Sequence, residues 1–121
     1  MDGGTEDEEV LAGIRSICLS LDGVEEGALQ DRPLFCVGRR RFAIFNGSES
    51  PRRPRWIDAG RSLHFLPEPA ERDALRNDLR FGPSPHHGDR GWLSLRLESA
   101  IDWDEVAELL QAAYAQVSRR S

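Results

Sequence analysis

The chain has 121 residues, a net charge of −5 and 31% charged residues, the size of one domain that buries a single core without disulfide or metal staples. It holds no run of the roughly eighteen apolar residues that cross a bilayer, and its acidic opening is the reverse of a signal peptide's basic, then apolar, start. A single soluble, cytoplasmic domain over residues 1–121 is therefore expected, and the acid excess excludes a uniformly basic nucleic-acid binder.

Thr5 and Glu8 make a T-x-x-E capping box, and Val10, Leu11, Ile14, Ile17, Cys18 and Leu21 then recur at helical spacing. This pattern predicts a helix over residues 6–20, ended by Asp22-Gly23. Residues 24–30 are weakly patterned and fit a short strand. Residues 33–37 and 40–45 are rich in β-formers, and the Gly38-Arg39 pair between them suits a type II′ hairpin turn. That turn puts Arg39, Arg40 and Arg41 at or beside a hairpin tip.

Gly47, Pro51 and Pro54, with Arg52, Arg53 and Arg55, mark residues 46–55 as a long exposed loop. A brief strand at 56–58 and a better one at 62–66 follow. Pro67 and Pro69 open a short helix through Asn77, because proline is tolerated in a first turn where its missing N–H costs nothing. Residues 80–90 form a Pro/Gly-rich loop containing His86 and His87. Residues 91–97 then alternate, with Leu93, Leu95 and Leu97 on one face and Trp92, Ser94 and Arg96 on the other. Asp102 caps a last helix with Glu105 three residues on; Trp103, Val106, Leu110, Ala113 and Val117 form its buried stripe, and Arg119 and Arg120 complement its C-terminal dipole.

This order of elements predicts an α+β fold: an antiparallel sheet with the N- and C-terminal helices packed on one face. The leucines of the last strand then face the helices. Trp92 and Arg96 fall on the opposite, open face, an exposed patch that calls for a partner.

Charge is segregated along the chain. Residues 1–30 carry eight acids against Arg15 alone, whereas residues 31–61 carry eight arginines against three acids. All 16 basic residues are arginine, so every cation is a planar fork suited to phosphate or carboxylate. A hairpin tip is also simply a solvated place for charge. Cys18 and Cys36 sit in apolar patterns, where a reduced thiol acts as a small hydrophobe. His86 and His87 are adjacent, so in an extended segment their side chains point apart, and neither stands near a second ligand pair. His64 reads as a packed or edge residue. No Ser-His-Asp set, nucleophile elbow or glycine-rich phosphate loop with its lysine is present, so catalysis is not expected and no cofactor is implied.

Residues 33–37 with the glycine turn into 41–45, the loop Phe81-Gly-Pro-Ser-Pro-His-His-Gly-Asp-Arg-Gly-Trp92 and the closing Asp102-Trp-Asp-Glu-Val-Ala-Glu-Leu-Leu110 together resemble the MmcQ/YjbR family across nearly the whole chain. The resemblance implies a frataxin-like (CyaY-like) fold and a non-enzymatic module that binds double-stranded DNA through two wings. On this chain the wings are the hairpin with Arg39, Arg40 and Arg41 and the loop with Arg90 and Trp92, joined by Arg96 on the strand that follows. His64 and Asp89 stand where the family tends to carry lysine. The alternative is a small planar ligand, a drug or metabolite, stacked on Trp92 and Trp56 beside arginines. A further alternative is metal at the acidic start of the first helix, Glu6 to Glu9, although acids there also suit the helix dipole.

Overall fold

A computed structural model describes residues 3–29, 32–47, 61–84, 90–97 and 100–118. Its elements run α1 (Gly3–Leu19), β1 (Val24–Leu29), β2 (Arg32–Val37), β3 (Arg40–Asn46), β4 (Ser62–Phe65), α2 (Pro69–Arg76), β5 (Phe81–Pro83), β6 (Leu93–Arg96) and α3 (Trp103–Ser118). The expected loop at 46–55 beyond Gly47, the strand at 56–58, His86, His87, Asp89, Arg119 and Arg120 lie outside the described residues.

All neighbouring strands pair antiparallel, in the order β1-β2-β3-β4-β6-β5. α1 and α3 lie on one face of this sheet, so the fold is α+β as the element order predicts. Val10, Ile14 and Cys18 from α1 meet Val106, Leu110, Ala113 and Val117 from α3 over Phe35, Phe45, Leu63, Phe65, Leu93 and Leu95. Each fully buried Val, Ile, Leu or Phe among them contributes about 1.5–3 kcal/mol of transfer free energy. Asp102 caps α3 as expected, its Oδ1 accepting from the Glu105 N–H at 3.2 Å.

The hairpin between β2 and β3 turns at Gly38, with φ 61°, while Arg39 keeps a negative φ, the combination of a type II′ turn. Inside the hairpin the register shifts: Phe35 pairs with Ala43 but Cys36 pairs with Arg41. Phe42 is the extra residue of a β-bulge. Strict alternation would send Phe42 to the face opposite Ala43. The bulge instead places both in the helix-side core, where the Phe42 ring meets Tyr114 edge-on at 5.9 Å between centroids.

Four expectations change. α1 begins at Gly3, so Thr5 lies inside its first turn and not at the cap. Residues 81–83, read as loop because of Gly82 and Pro83, form the short edge strand β5 on β6. Trp103 is 36% exposed and covers Gly13 of α1 instead of sitting in the buried stripe. Most consequential, the sheet face away from the helices is not open. Ile44 is 0%, His64 3% and Trp92 5% exposed there, and Trp92 packs with Leu34 and Ile44 in a second apolar cluster. The same face buries Arg32, whose Nε donates to Asn46 Oδ1 at 3.3 Å.

Several arginines are spent internally. Arg15 pairs with Glu26 at 2.6 Å and ties α1 to β1. Arg61 meets Asp7 at 3.0 Å and donates to the Leu97 carbonyl at 2.8 Å. Arg80 bridges Asp78 and the Glu105 carboxylate, linking the turn before β5 to α3.

Two outcomes follow from this packing. A Cβ on Gly13 would stand 2.7 Å from Trp103 Cζ2 and 2.8 Å from Cζ3, so Gly13→Ala displaces the indole. Overpacking of about 1–3 kcal/mol, partly offset by about 1 kcal/mol of helix propensity, leaves a net destabilisation of about 1 kcal/mol. Chemical denaturation and a red shift of tryptophan emission measure it. The hydrogen bonds from Arg80 hold the Asp78 carboxyl down to about 2, from an ordinary 3.8. Because the folded value is depressed, its stabilisation is present above the ordinary value and is lost as pH falls through about 2. Arg80→Ala should raise the Asp78 titration, followed by carboxyl NMR shifts, only part of the way to its ordinary midpoint, because the backbone N–H at position 80 still donates to Asp78 Oδ1.

Candidate functional site

The type II′ turn holds Arg39, and β3 begins with Arg40 and Arg41; all three are exposed. Past the bulge the hairpin tip reaches the C-terminal half of α3, where Gln116 and Val117 stand beside it around one cleft. The Gln116 amide is fixed there, donating to the Leu66 and Pro67 carbonyls at 3.0 and 2.9 Å. Those bonds tie the segment after β4 to α3 and set where α2 starts.

α2 starts with Pro69 in its first turn and buries none of its residues. It therefore acts as a surface strut, and it brings Pro69 and the cation Arg72 to the cleft. That guanidinium packs against Gly91: a Cβ there would stand 2.7 Å from both Cζ and Nη2. Gly91 has φ 90°, a value L side chains rarely adopt, so this position favours glycine both for conformation and for room. Arg72 Nε is shut off from solvent and has no hydrogen-bond partner among the described residues. Leaving such a donor unmet costs about 1–3 kcal/mol, so Arg72 is held in the cleft wall at a cost to the fold.

Arg90, exposed and next to Gly91, completes the set. Arg39, Arg40, Arg41, Arg72 and Arg90 thus line one cleft of about 680 Å³, floored by Leu66, Pro69, Trp92 and Val117. Among the described residues lining it there is no carboxylate. Cations converging on a concave, partly apolar wall raise the local potential and favour an anion.

The structure thus brings together Arg39, Arg40, Arg41, Arg90 and Trp92, and leaves Arg96 out. Arg96 is four residues along β6 from Trp92, about 13 Å away at strand rise, and lines a separate cleft of about 330 Å³ with Arg80 and Glu105. Trp92 contributes a buried floor, not the open stacking face expected of it. Trp56, its expected stacking partner, lies outside the described residues. Arg72 was missed because α2 carries no apolar periodicity that singles out one of its charges.

Other reactive groups are occupied or closed. His64 uses both ring nitrogens on hydroxyls, Nε2 at 3.1 Å from Ser62 Oγ and Nδ1 at 2.9 Å from Ser84 Oγ, with all three residues 3% exposed or less. That network ties β4 to the end of β5. Burial, with a smaller push from Glu26, raises the Cys18 thiol to about 12; burial also raises Cys36. Neither is primed as a thiolate. Of the acids at the start of α1, Glu6 and Asp7 pair with Arg61, and no group of three potential metal ligands occurs among the described residues.

The model of the YjbR family matches residues 19–116. The chain belongs to the YjbR family. The match spans every cleft residue except Val117, so the YjbR region and the arginine cleft largely coincide. No curated protein matches the chain. The crystal structure of Deinococcus radiodurans protein DR2400, of domain family DUF419, is similar with a TM-score of 0.72 and 21% identity, covering 91% of this chain and 79% of that one. Identity at that level shows a shared fold.

If Arg72 stands in the YjbR cleft for a ligand and not for the fold, removing it should not weaken the fold. Arg72→Met keeps the aliphatic stem and eliminates the unmet donor, so thermal unfolding should show stability unchanged or raised by up to about 1 kcal/mol. A loss above about 2 kcal/mol would make Arg72 a structural residue.

Proposed function

We propose that this YjbR-family chain is a non-enzymatic binding module that grips the phosphate backbone of double-stranded DNA at its arginine cleft. The observation that carries this reading is the convergence of Arg39, Arg40, Arg41 and Arg90, all exposed, on one cleft whose described lining carries no acid, in a chain with net charge −5. The cations paired elsewhere, Arg15, Arg61 and Arg80, face carboxylates of their own, so the hairpin end of the sheet is a described place where an anionic polymer meets a cluster of uncompensated charge. The acidic surface around α1 orients the approach by repelling the polymer from the other end.

Guanidinium contacts to phosphate set affinity and position, while sequence preference needs side chains in a groove. The hairpin tip carries only arginines beyond its turn glycine, so weakly sequence-dependent binding is expected. A planar ligand stacked on an open indole loses its basis because Trp92 is buried.

Fluorescence anisotropy with labelled duplex tests the reading. Four phosphate contacts give a log–log salt slope of about −4, a fall in affinity of about a hundredfold between roughly 50 and 200 mM salt. Arg39→Ala and Arg40→Ala should each flatten that slope by about 1, and Arg96→Ala should leave it unchanged. Binding insensitive to salt, or to both hairpin substitutions, rejects the proposal.

A further inference from the structure

Arg72 differs from the other four arginines of the cleft. Arg39, Arg40, Arg41 and Arg90 are exposed and form its rim, whereas Arg72 is half-buried and pinned by Gly91, with Nε closed to water. The backbone of a continuous duplex is a broad convex surface that touches a rim. A guanidinium set back behind that rim is reached only by a group that protrudes.

We propose that the recessed end of the cleft, built on Arg72 against Gly91, is a binding site for a phosphate monoester. Such a group ends a nucleic-acid strand or a mononucleotide. Its chemistry fits in two ways. A monoester carries a charge of about −1.5 to −2 at neutral pH and three acceptor oxygens, against the single charge of a backbone diester. A guanidinium offers five donors in a fixed fork that matches two of those oxygens at once. Arg72 already packs against Gly91 before any ligand arrives, so part of its side-chain ordering is in place, and its Nη groups are the contacts it offers the ligand, Nε being closed to solvent. Arg40 and Arg41 at the rim of the same cleft supply the remaining positive charge.

For a strand end the inference rests on the DNA reading above; for a free mononucleotide it does not. Three probes separate the two: a duplex with 5′-phosphates, the same duplex with 5′-hydroxyls, and a nucleoside monophosphate, each titrated by calorimetry or anisotropy. The 5′-phosphorylated duplex should bind about tenfold or more tightly than the hydroxyl form, the range expected of charge-assisted fork contacts. Arg72→Gln should abolish that ratio, the phosphorylated and hydroxyl duplexes then binding equally. Arg72→Lys, which keeps the charge and loses the fork, should also lose most of the ratio, and circular dichroism checks that both variants fold. Equal binding of the two duplexes by the wild type, or a ratio that survives in Arg72→Gln, overturns the monoester site and leaves the DNA reading standing. Arg72-dependent binding of the nucleoside monophosphate with no binding of either duplex supports the site and overturns the DNA reading. Binding of none of the three overturns both.

Discussion

One extra residue in β3 decides where the positive charge of this protein ends up. Because side chains on a strand alternate faces, an unbroken ladder from Ile44 to the turn would send Phe42 to the helix-free side and Arg41 toward the core. The bulge between the Phe35–Ala43 and Cys36–Arg41 pairs reverses that sense for the whole tip. Phe42 becomes a 0% exposed core residue against Tyr114, and the arginines beyond it emerge beside α3. Bulges also sharpen strand twist, and a hairpin curled over the C-terminal half of α3 is what creates a concave wall there. The cleft is thus a consequence of core packing: the apolar gain at Phe42 drives the register shift, and the placement of Arg39, Arg40 and Arg41 follows.

The two faces of the sheet divide the work. The helix side holds the large continuous apolar core and supplies most of the transfer free energy. The other side pairs a small cluster, Leu34, Ile44 and Trp92, with buried polar groups that satisfy one another: Arg32 with Asn46, and His64 with Ser62 and Ser84. Buried polar groups add little net stability but tolerate few arrangements, so they specify register. His64 bonded to Ser84 fixes the end of β5, and the Ser84 N–H in turn bonds the Trp92 carbonyl at 3.2 Å. That carbonyl sits one residue after Gly91, so the polar network also anchors the backbone on which Arg72 rests.

Local pattern made much of this legible in the sequence. Helical spacing gives α1 and α3, Asp102 with Glu105 gives the α3 cap, Gly38 gives the hairpin turn, and the leucines of β6 give the core face. What it did not give has a common physical origin. Alternation tells which side of a strand Trp92 occupies but not whether that side is covered, and coverage is a tertiary property. Gly82 and Pro83 oppose strand formation by propensity, yet Pro83 is allowed in β5 because an edge strand needs no donor on its outer side. Trp103 fits the helical stripe, but in the stripe's first turn it lies over Gly13, which has no side chain to enclose it. Arg39, Arg40, Arg41 and Arg90 were visible as a run and a loop residue. Arg72 was not, because what singles it out is the positive φ of a glycine 19 positions away.

Net charge conceals this arrangement as well. The chain is acidic overall, but its described ion pairs neutralise arginines on α1, β4's approach and the turn before β5, each against a carboxylate close in space. The Arg15–Glu26 and Arg80–Asp78 pairs, at exposed or half-exposed positions, add little to stability. Their larger effect is subtractive: they neutralise cations that would otherwise spread positive potential, and so sharpen the contrast between the cleft and their own parts of the described surface. Field strength at a concave site grows with the asymmetry of its surroundings and not with the total count of cations. An acidic protein whose described surface carries an uncompensated guanidinium wall is therefore a more directional receptor for a phosphate than a uniformly basic protein of the same size, because the acids elsewhere repel the anion that the wall attracts.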